Sequence, residues 1–176
     1  MESLRTQQDV NATADVVWGV LQDGAQYCTW VPGVEDVEGD VEDGQSIILV
    51  GSDGDERTRL RIAAQANRRI MTWQSGAGLG LDSSEVTFDL SDTGFGCTVV
   101  LTRRDSGMLH GLLGGDEDAK TRLTELAAAL AAAAETRASH RESRHTVDDA
   151  AQAADGTDAP ASDLNPGSGP AEPRGI

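Results

Sequence analysis

Few side chains in this sequence are of types that do chemistry, and their spacing gathers none of them. The histidines are His110, His140 and His145, the thiols are Cys28 and Cys97, and the one phenol is Tyr27. A general acid or base must stand within hydrogen-bond reach of the proton it moves. Only His110 falls inside the body of the expected domain, ahead of its last helix. His140 and His145 sit near the fraying end of a helix, and a lone histidine is usually a surface or capping residue. The cysteines lack partners at metal-ligand spacing. No nucleophile motif, paired-carboxylate signature or nucleotide fingerprint stands out, and the glycines between Gly76 and Gly80 lack the following helix that a phosphate-binding turn needs. With 30 Asp and Glu in the chain, chance carboxylate pairs are common, so acid count is not evidence for acid chemistry. No catalytic residue, metal ligand or cofactor is assigned on this reading, which leans away from an enzyme. An enzyme would need His110, an acid or Tyr27 to project into a cavity.

Charge narrows the partners. Against those acids stand 14 Lys and Arg, for a net charge of −16 and a pI near 4.3, so nucleic acid and anionic membrane surfaces are repelled. No apolar run approaches the roughly 20 residues that cross a bilayer; the Ala-rich stretch from Leu126 to Ala134 is too short and is flanked by charges. With no secretory signal ahead of them, Cys28 and Cys97 are expected to be free thiols in a reducing compartment, which points to a cytoplasmic protein.

The elements that would position any site follow from pattern. Leu4–Val10 reads as a first strand, and Asn11 or Thr13 can cap a helix carrying Val16, Val17, Val20 and Leu21. A brief second helix with Tyr27 and Trp30 fits between Gly24 and the Pro32–Gly33 stop. From Val34 to Arg104, turn signals recur at hairpin spacing, and RTRLRIAA and EVTFDL alternate wet and dry. A one-sided antiparallel sheet needs a cover. The stretch from Asp116 supplies it as a long helix with Leu123, Leu126 and Leu130 at helical spacing, acids in its first turn and arginines toward its end. Residues 1–145 are therefore expected to form one domain. Residues 146–176, rich in Asp, Ala, Gly and Pro, read as a disordered acidic tail.

The order of strand, two short helices, run of strands and long C-terminal helix is the helix-grip arrangement, and VNATADVVWGVLQDGAQYCTWVPGV resembles the opening of the START-like (SRPBCC) superfamily, which includes polyketide cyclase, dehydrase and lipid-transport proteins. Val17, Trp18, Asp23, Tyr27, Trp30 and Pro32 carry the likeness, together with NRRIMTWQS and DTGFGCTVVLTRRD further on. Thr13 stands where many relatives have a proline. The resemblance implies an α+β fold, a curved antiparallel sheet wrapped around the C-terminal helix, with a ligand held between the two.

Such gaps are mostly apolar with few polar handles. The candidate lining is Leu60, Ile62, Met71 and Trp73, then Val86, Phe88, Val99 and Leu101 from the sheet, with Leu123, Leu126 and Leu130 from the helix; each is equally a core residue in kind. Tyr27 and Trp30 are placed to edge a pocket mouth or simply to pack at the seam. Ala127, Ala128, Ala131 and Ala132 either let the helix approach closely or leave room for a guest. Ser75–Ser83 reads as an entrance lid or a Gly-rich hairpin, and Ser106–Gly115, with Met108, Leu109, Leu112 and Leu113, as an apolar gate or a buried connection. Arg57, Arg59 and Arg61 are expected to pair with acids on neighbouring strands. The leading expectation is a binding or carrier module for a small hydrophobic molecule such as a lipid, quinone or polyketide. The alternatives are a polyketide cyclase or dehydratase, or a protein-interaction role of the co-chaperone or assembly-factor kind, without ligand.

Overall fold

Alternating side chains and well-placed turns yield seven strands: β1 (Glu2–Val10), β2 (Val34–Glu38), β3 (Ser46–Gly51), β4 (Arg57–Gln65), β5 (Ile70–Gly76), β6 (Asp82–Asp92) and β7 (Cys97–Gly107). The computed structural model describes residues 2–52, 56–76, 82–107 and 116–155. The strands form one sheet in the order β1-β7-β6-β5-β4-β3-β2, every neighbour antiparallel. Between β1 and β2 lie α1 (Ala14–Gln22) and α2 (Tyr27–Trp30), joined by a 3₁₀ turn at Gly24–Gln26. The last element is α3, Asp116–Asp155. This is the helix-grip fold: a curved antiparallel sheet, two short helices after its first strand, and a long C-terminal helix.

One face of the sheet is dry. Ile62, Met71, Phe88, Val99 and Leu101 are fully buried, and α3 meets the core with a stripe of Leu123, Ala127, Leu130, Ala131 and Ala134. Three- and four-residue spacing puts these on one side of a helix. Of the four alanines singled out in the sequence, Ala127 and Ala131 are buried at this seam while Ala128 and Ala132 face outward. Gly96 marks the tightest backbone approach, at the start of β7: a β-carbon there would stand 2.3 Å from the carbonyl oxygen of Val10, so only glycine fits.

One expectation changes. Arg57 reaches Glu38, on β2, across the intervening β3, whereas Arg59 lies opposite Ile48, and Arg61 opposite Ser46 and Gln74, and neither forms an ion pair among the described residues. The facing strands simply lack acids at those positions. The chain divides into two compact units, Met1–Arg141 and Glu142–Ile176, and the helical backbone of α3 continues to Asp155, past residue 146 where the acidic tail was expected to begin. The run DDAAQAAD contains good helix formers, and the first stop signal is Gly156.

Candidate functional site

Position begins with α1, whose ends are fixed by residues from far along the chain. Its N-cap is Thr13, but that side chain makes no capping bond. Instead the Ala14 N–H donates to Asp92 Oδ1 of β6 at 3.2 Å, and the Asn11 N–H donates to Glu135 Oε1 of α3 at 2.9 Å. At the other end, helices leave carbonyls without partners, and three groups take them. Arg137 donates to the Gly19 carbonyl at 3.3 Å and to Asp23 Oδ2 at 3.1 Å, the Asp23 N–H donates to the Val20 carbonyl, and the Tyr27 hydroxyl donates to the Leu21 carbonyl.

Arg69 adds a further tie. It sits in the left-handed region at φ +52°, unusual for a residue other than glycine, and its guanidinium pairs with Asp92 and, at 2.9 Å, with Asp15. The hydrogen bond from Arg69, then that from the Ala14 N–H, holds the Asp92 carboxyl below the usual 3.8. Because the folded value is depressed, the stabilisation is present above the unfolded pKa and lost as pH falls through the folded one. Asp92→Asn is therefore expected to lower the denaturant midpoint at neutral pH and to converge on the parent protein in acid. Equal offsets at both pH values would show that the charge contributes nothing.

Those ties hold Tyr27 and Trp30 against the dry face. Tyr27 lies 5.3 Å, centroid to centroid, from both Trp30 and Trp73, Trp30 lies 6.3 Å from Trp73, and Trp73 lies 4.7 Å from Phe88. These are the separations at which aromatic pairs attract. Burial pushes the Tyr27 phenol well above its usual pKa, opposed in part by the nearby Trp73 indole, so at neutral pH Tyr27 stays protonated and donates a hydrogen bond. The indole nitrogens of Trp30 and Trp73 are buried without a hydrogen-bond partner. The Trp73 N–H is near the phenol but falls short of hydrogen-bond geometry.

In antiparallel pairs, directly opposed residues share a face, so the register lays out the dry face in rows. One row runs Ala64, Met71, Phe88, Leu101, Thr6; the next runs Ile62, Trp73, Val86, Arg103, Leu4; a third runs Leu60, Ser75, Ser84, Asp105, Glu2. The face thus passes from apolar to polar within two rows. Arg103 Nε donates to both carboxylate oxygens of Asp105, at 3.1 and 2.8 Å, and Asp105 is 8% exposed against 28% for the Arg103 side chain.

The expected lining residues converge. Tyr27, Trp30, Leu60, Ile62, Met71, Trp73, Phe88, Val99, Leu101, Leu123 and Leu130 are buried, and Val86 and Leu126 are partly buried against the same core. Arg103 and Asp105 were missed, although alternation continued two and four places beyond Leu101 would have put both on the dry face. His110, Met108, Leu109, Leu112, Leu113 and most of the Ser75–Ser83 loop lie outside the described residues, and His140 is exposed. A separate open groove of about 610 Å³ is lined by Asp9, Asn11, Phe95, Gly96 and Glu135, among others, beside a Phe95 that is 98% exposed.

The two thiols differ: Cys28 is exposed and Cys97 is buried and unpaired, its pKa pushed up chiefly by burial. Reactivity follows the exposed thiolate. A disulfide reagent is expected to modify Cys28 promptly and Cys97 only after denaturant is added; prompt reaction at both would mean that the β1–β7 end opens readily. Among the described residues no group of three His, Cys, Asp or Glu could hold a metal, and no helix is long and apolar enough to cross a membrane.

The fold recurs in solved structures. A Mesorhizobium loti protein superposes with a TM-score of 0.61 at 14% identity, covering 75% of this chain and 96% of its own. Norcoclaurine synthase from Thalictrum flavum, a point mutant in complex with a transition-state analogue, gives 0.59 at 18% identity, covering 80% and 96%. Major latex-like protein 151 from Panax ginseng gives 0.60 at 16% identity, covering 74% and 95%. Identities this low speak to fold alone. No curated protein matches the sequence. Residues 1–137 match the family described as polyketide cyclase / dehydrase and lipid transport, and the chain belongs to that family.

Proposed function

We propose that the protein is a binding or carrier module that holds a small hydrophobic molecule between the dry face of the sheet and the inner side of α3. The observation that carries this reading is the aromatic wall of Tyr27, Trp30, Trp73 and Phe88 on that face. It offers flat apolar area at low entropic cost, as ligand sites of this class do. Membership of a family described by polyketide cyclisation and lipid transport agrees with it, and the Thalictrum flavum relative by fold was crystallised with a transition-state analogue. An enzymatic role has less to stand on: the Tyr27 phenol is committed to the Leu21 carbonyl, and Asp105, a buried carboxylate on the dry face, is held by Arg103.

Native mass spectrometry of the protein purified from its own host, compared with the same sample denatured, tests the proposal. A stoichiometric apolar molecule released on denaturation is the expected result. A clean apo mass, with no uptake from a lipid and quinone extract, would overturn it. It would shift the weight to a protein-contact role, which the exposed Phe95 beside its open groove favours.

A further inference from the structure

The two edges of the sheet are built differently. Short length, breaks in register and charge are the usual guards of an edge strand, and β2 has all three: it has five residues, its pairing slips between Val34 and Asp36, and Glu35, Asp36 and Glu38 are exposed on it. In addition, α2 packs against it. β1 is open by comparison. It has nine residues with neither proline nor lysine, and its ladder with β7 runs unbroken from Glu2 to Val10. It ends the strand order, and no strand among the described residues pairs with its outer side. A strand paired on one side only leaves the N–H and C=O of every second residue facing outward. The side chains along it carry a pattern. Ser3, Arg5, Gln7 and Asp9 are exposed on the wet face. Arg5 has no hydrogen bond or ion pair among the described residues. Asp9 accepts from Thr98 Oγ1 at 2.8 Å through Oδ1, and its Oδ2 takes no partner among them. A strand with one open cation and one open carboxylate on the same face is complementary to its own reversed copy.

We propose that the outer edge of β1 takes a second copy of this chain, β1 against β1 in antiparallel, about a twofold axis at Gln7 that sets Arg5 of each copy opposite Asp9 of the other. Opposed residues in an antiparallel pair share a face, so wet continues as wet and dry as dry only when odd positions meet odd ones. With the axis at Gln7, Leu4 falls opposite Val10 and Thr6 opposite Gln8, which satisfies that rule on the inner side as well. Other registers lose the charge match. An axis at Thr6 sets Arg5 opposite Gln7, one at Gln8 sets it opposite Asn11, and one at Arg5 opposes the two guanidiniums. A twofold contact closes on itself, so the product is a dimer and not a filament. Few apolar side chains take part. The contact is held by backbone bonds and charge register, and both exist only once β7 has laid β1 flat.

Sedimentation equilibrium of the full chain tests this, in about 0.15 M salt so that long-range repulsion between two chains of −16 is screened. Across a micromolar-to-millimolar range the mass is expected to rise from 18.5 kDa to twice that value. Arg5→Asp alone, or Asp9→Arg alone, sets like charges opposite each other twice and is expected to raise the dimer dissociation constant about tenfold. The exchange Arg5→Asp/Asp9→Arg is expected to restore it, which also shows that the fold survives loss of the Thr98 bond. Cross-linking checks the register independently. In a Cys28→Ser background, Gln7→Cys is expected to form a disulfide-linked dimer on mild oxidation, because paired α-carbons at the axis stand about 5.5 Å apart. Ser3→Cys, far from the axis, is expected to stay unlinked. A chain that remains monomeric across the range overturns the proposal. So does a dimer that is indifferent to the charge variants, and so does one that fails to link through Gln7→Cys or links equally through Ser3→Cys.

Discussion

Phe88→Ala is expected to cost about 4 kcal/mol of unfolding free energy, read from denaturant midpoints at constant slope. Phe88 is fully buried in the middle of β6, opposite Met71 on one neighbouring strand and Leu101 on the other, and its ring lies 4.7 Å from that of Trp73, tilted by 58°. Removing it takes a large apolar surface out of contact and leaves a space the flanking strands cannot close without shifting register. The size of the loss also separates two roles for this residue. A ring clamped on all sides costs the full amount. A ring that borders a ligand space loses fewer neighbours, and its removal costs about 1 kcal/mol or less while changing which guests are held. A small loss together with altered ligand binding would therefore identify Phe88 as lining, and a large one would identify it as core.

Arg103→Met is expected to be destabilising by about 3 kcal/mol, the lower end for a broken buried pair because the Arg103 side chain is 28% exposed. The loss comes from taking away the charge and the two hydrogen bonds that Arg103 sets against the buried Asp105 carboxylate, which is 8% exposed. Adding Asp105→Leu is expected to return the midpoint to the parent value or above it, since two apolar side chains suit a face that already carries Phe88 and Leu101. If the double variant remains as unstable as the single one, the pair is part of the framework of β7 and not a feature kept for a guest.

The helix-grip order could be read from the chain because each of its signals is local: Gly33 and Pro32 closing α2, alternation in β4 and β6, the leucine spacing of α3. The buried face of the sheet followed from the same alternation. What escaped was everything that depends on pairing across long stretches of sequence. Asp92 caps α1 from β6 and Glu135 braces Asn11 from α3, and no spacing rule connects residues so far apart. Arg103 and Asp105 escaped for a different reason. Their charge suggests a wet face, and parity from Val99 and Leu101, which says otherwise, is the weaker signal when a charged run ends a strand. The pairing expected for Arg59 and Arg61 failed because overall acidity says nothing about which residue sits opposite.

The first strand pairs with the last, Glu2 with Asp105 through Val10 with Cys97. On a ribosome adding about 5–20 residues per second, β1 emerges many seconds before the strand that will neighbour it exists. During that interval its backbone groups have no intended partner, which is when a nascent strand is most prone to join the wrong chain. The composition of β1 suits the wait: Arg5, Gln7, Gln8 and Asp9 leave Leu4 and Val10 as its only large apolar residues, so the segment stays hydrated and unattractive to other strands until translation delivers β7.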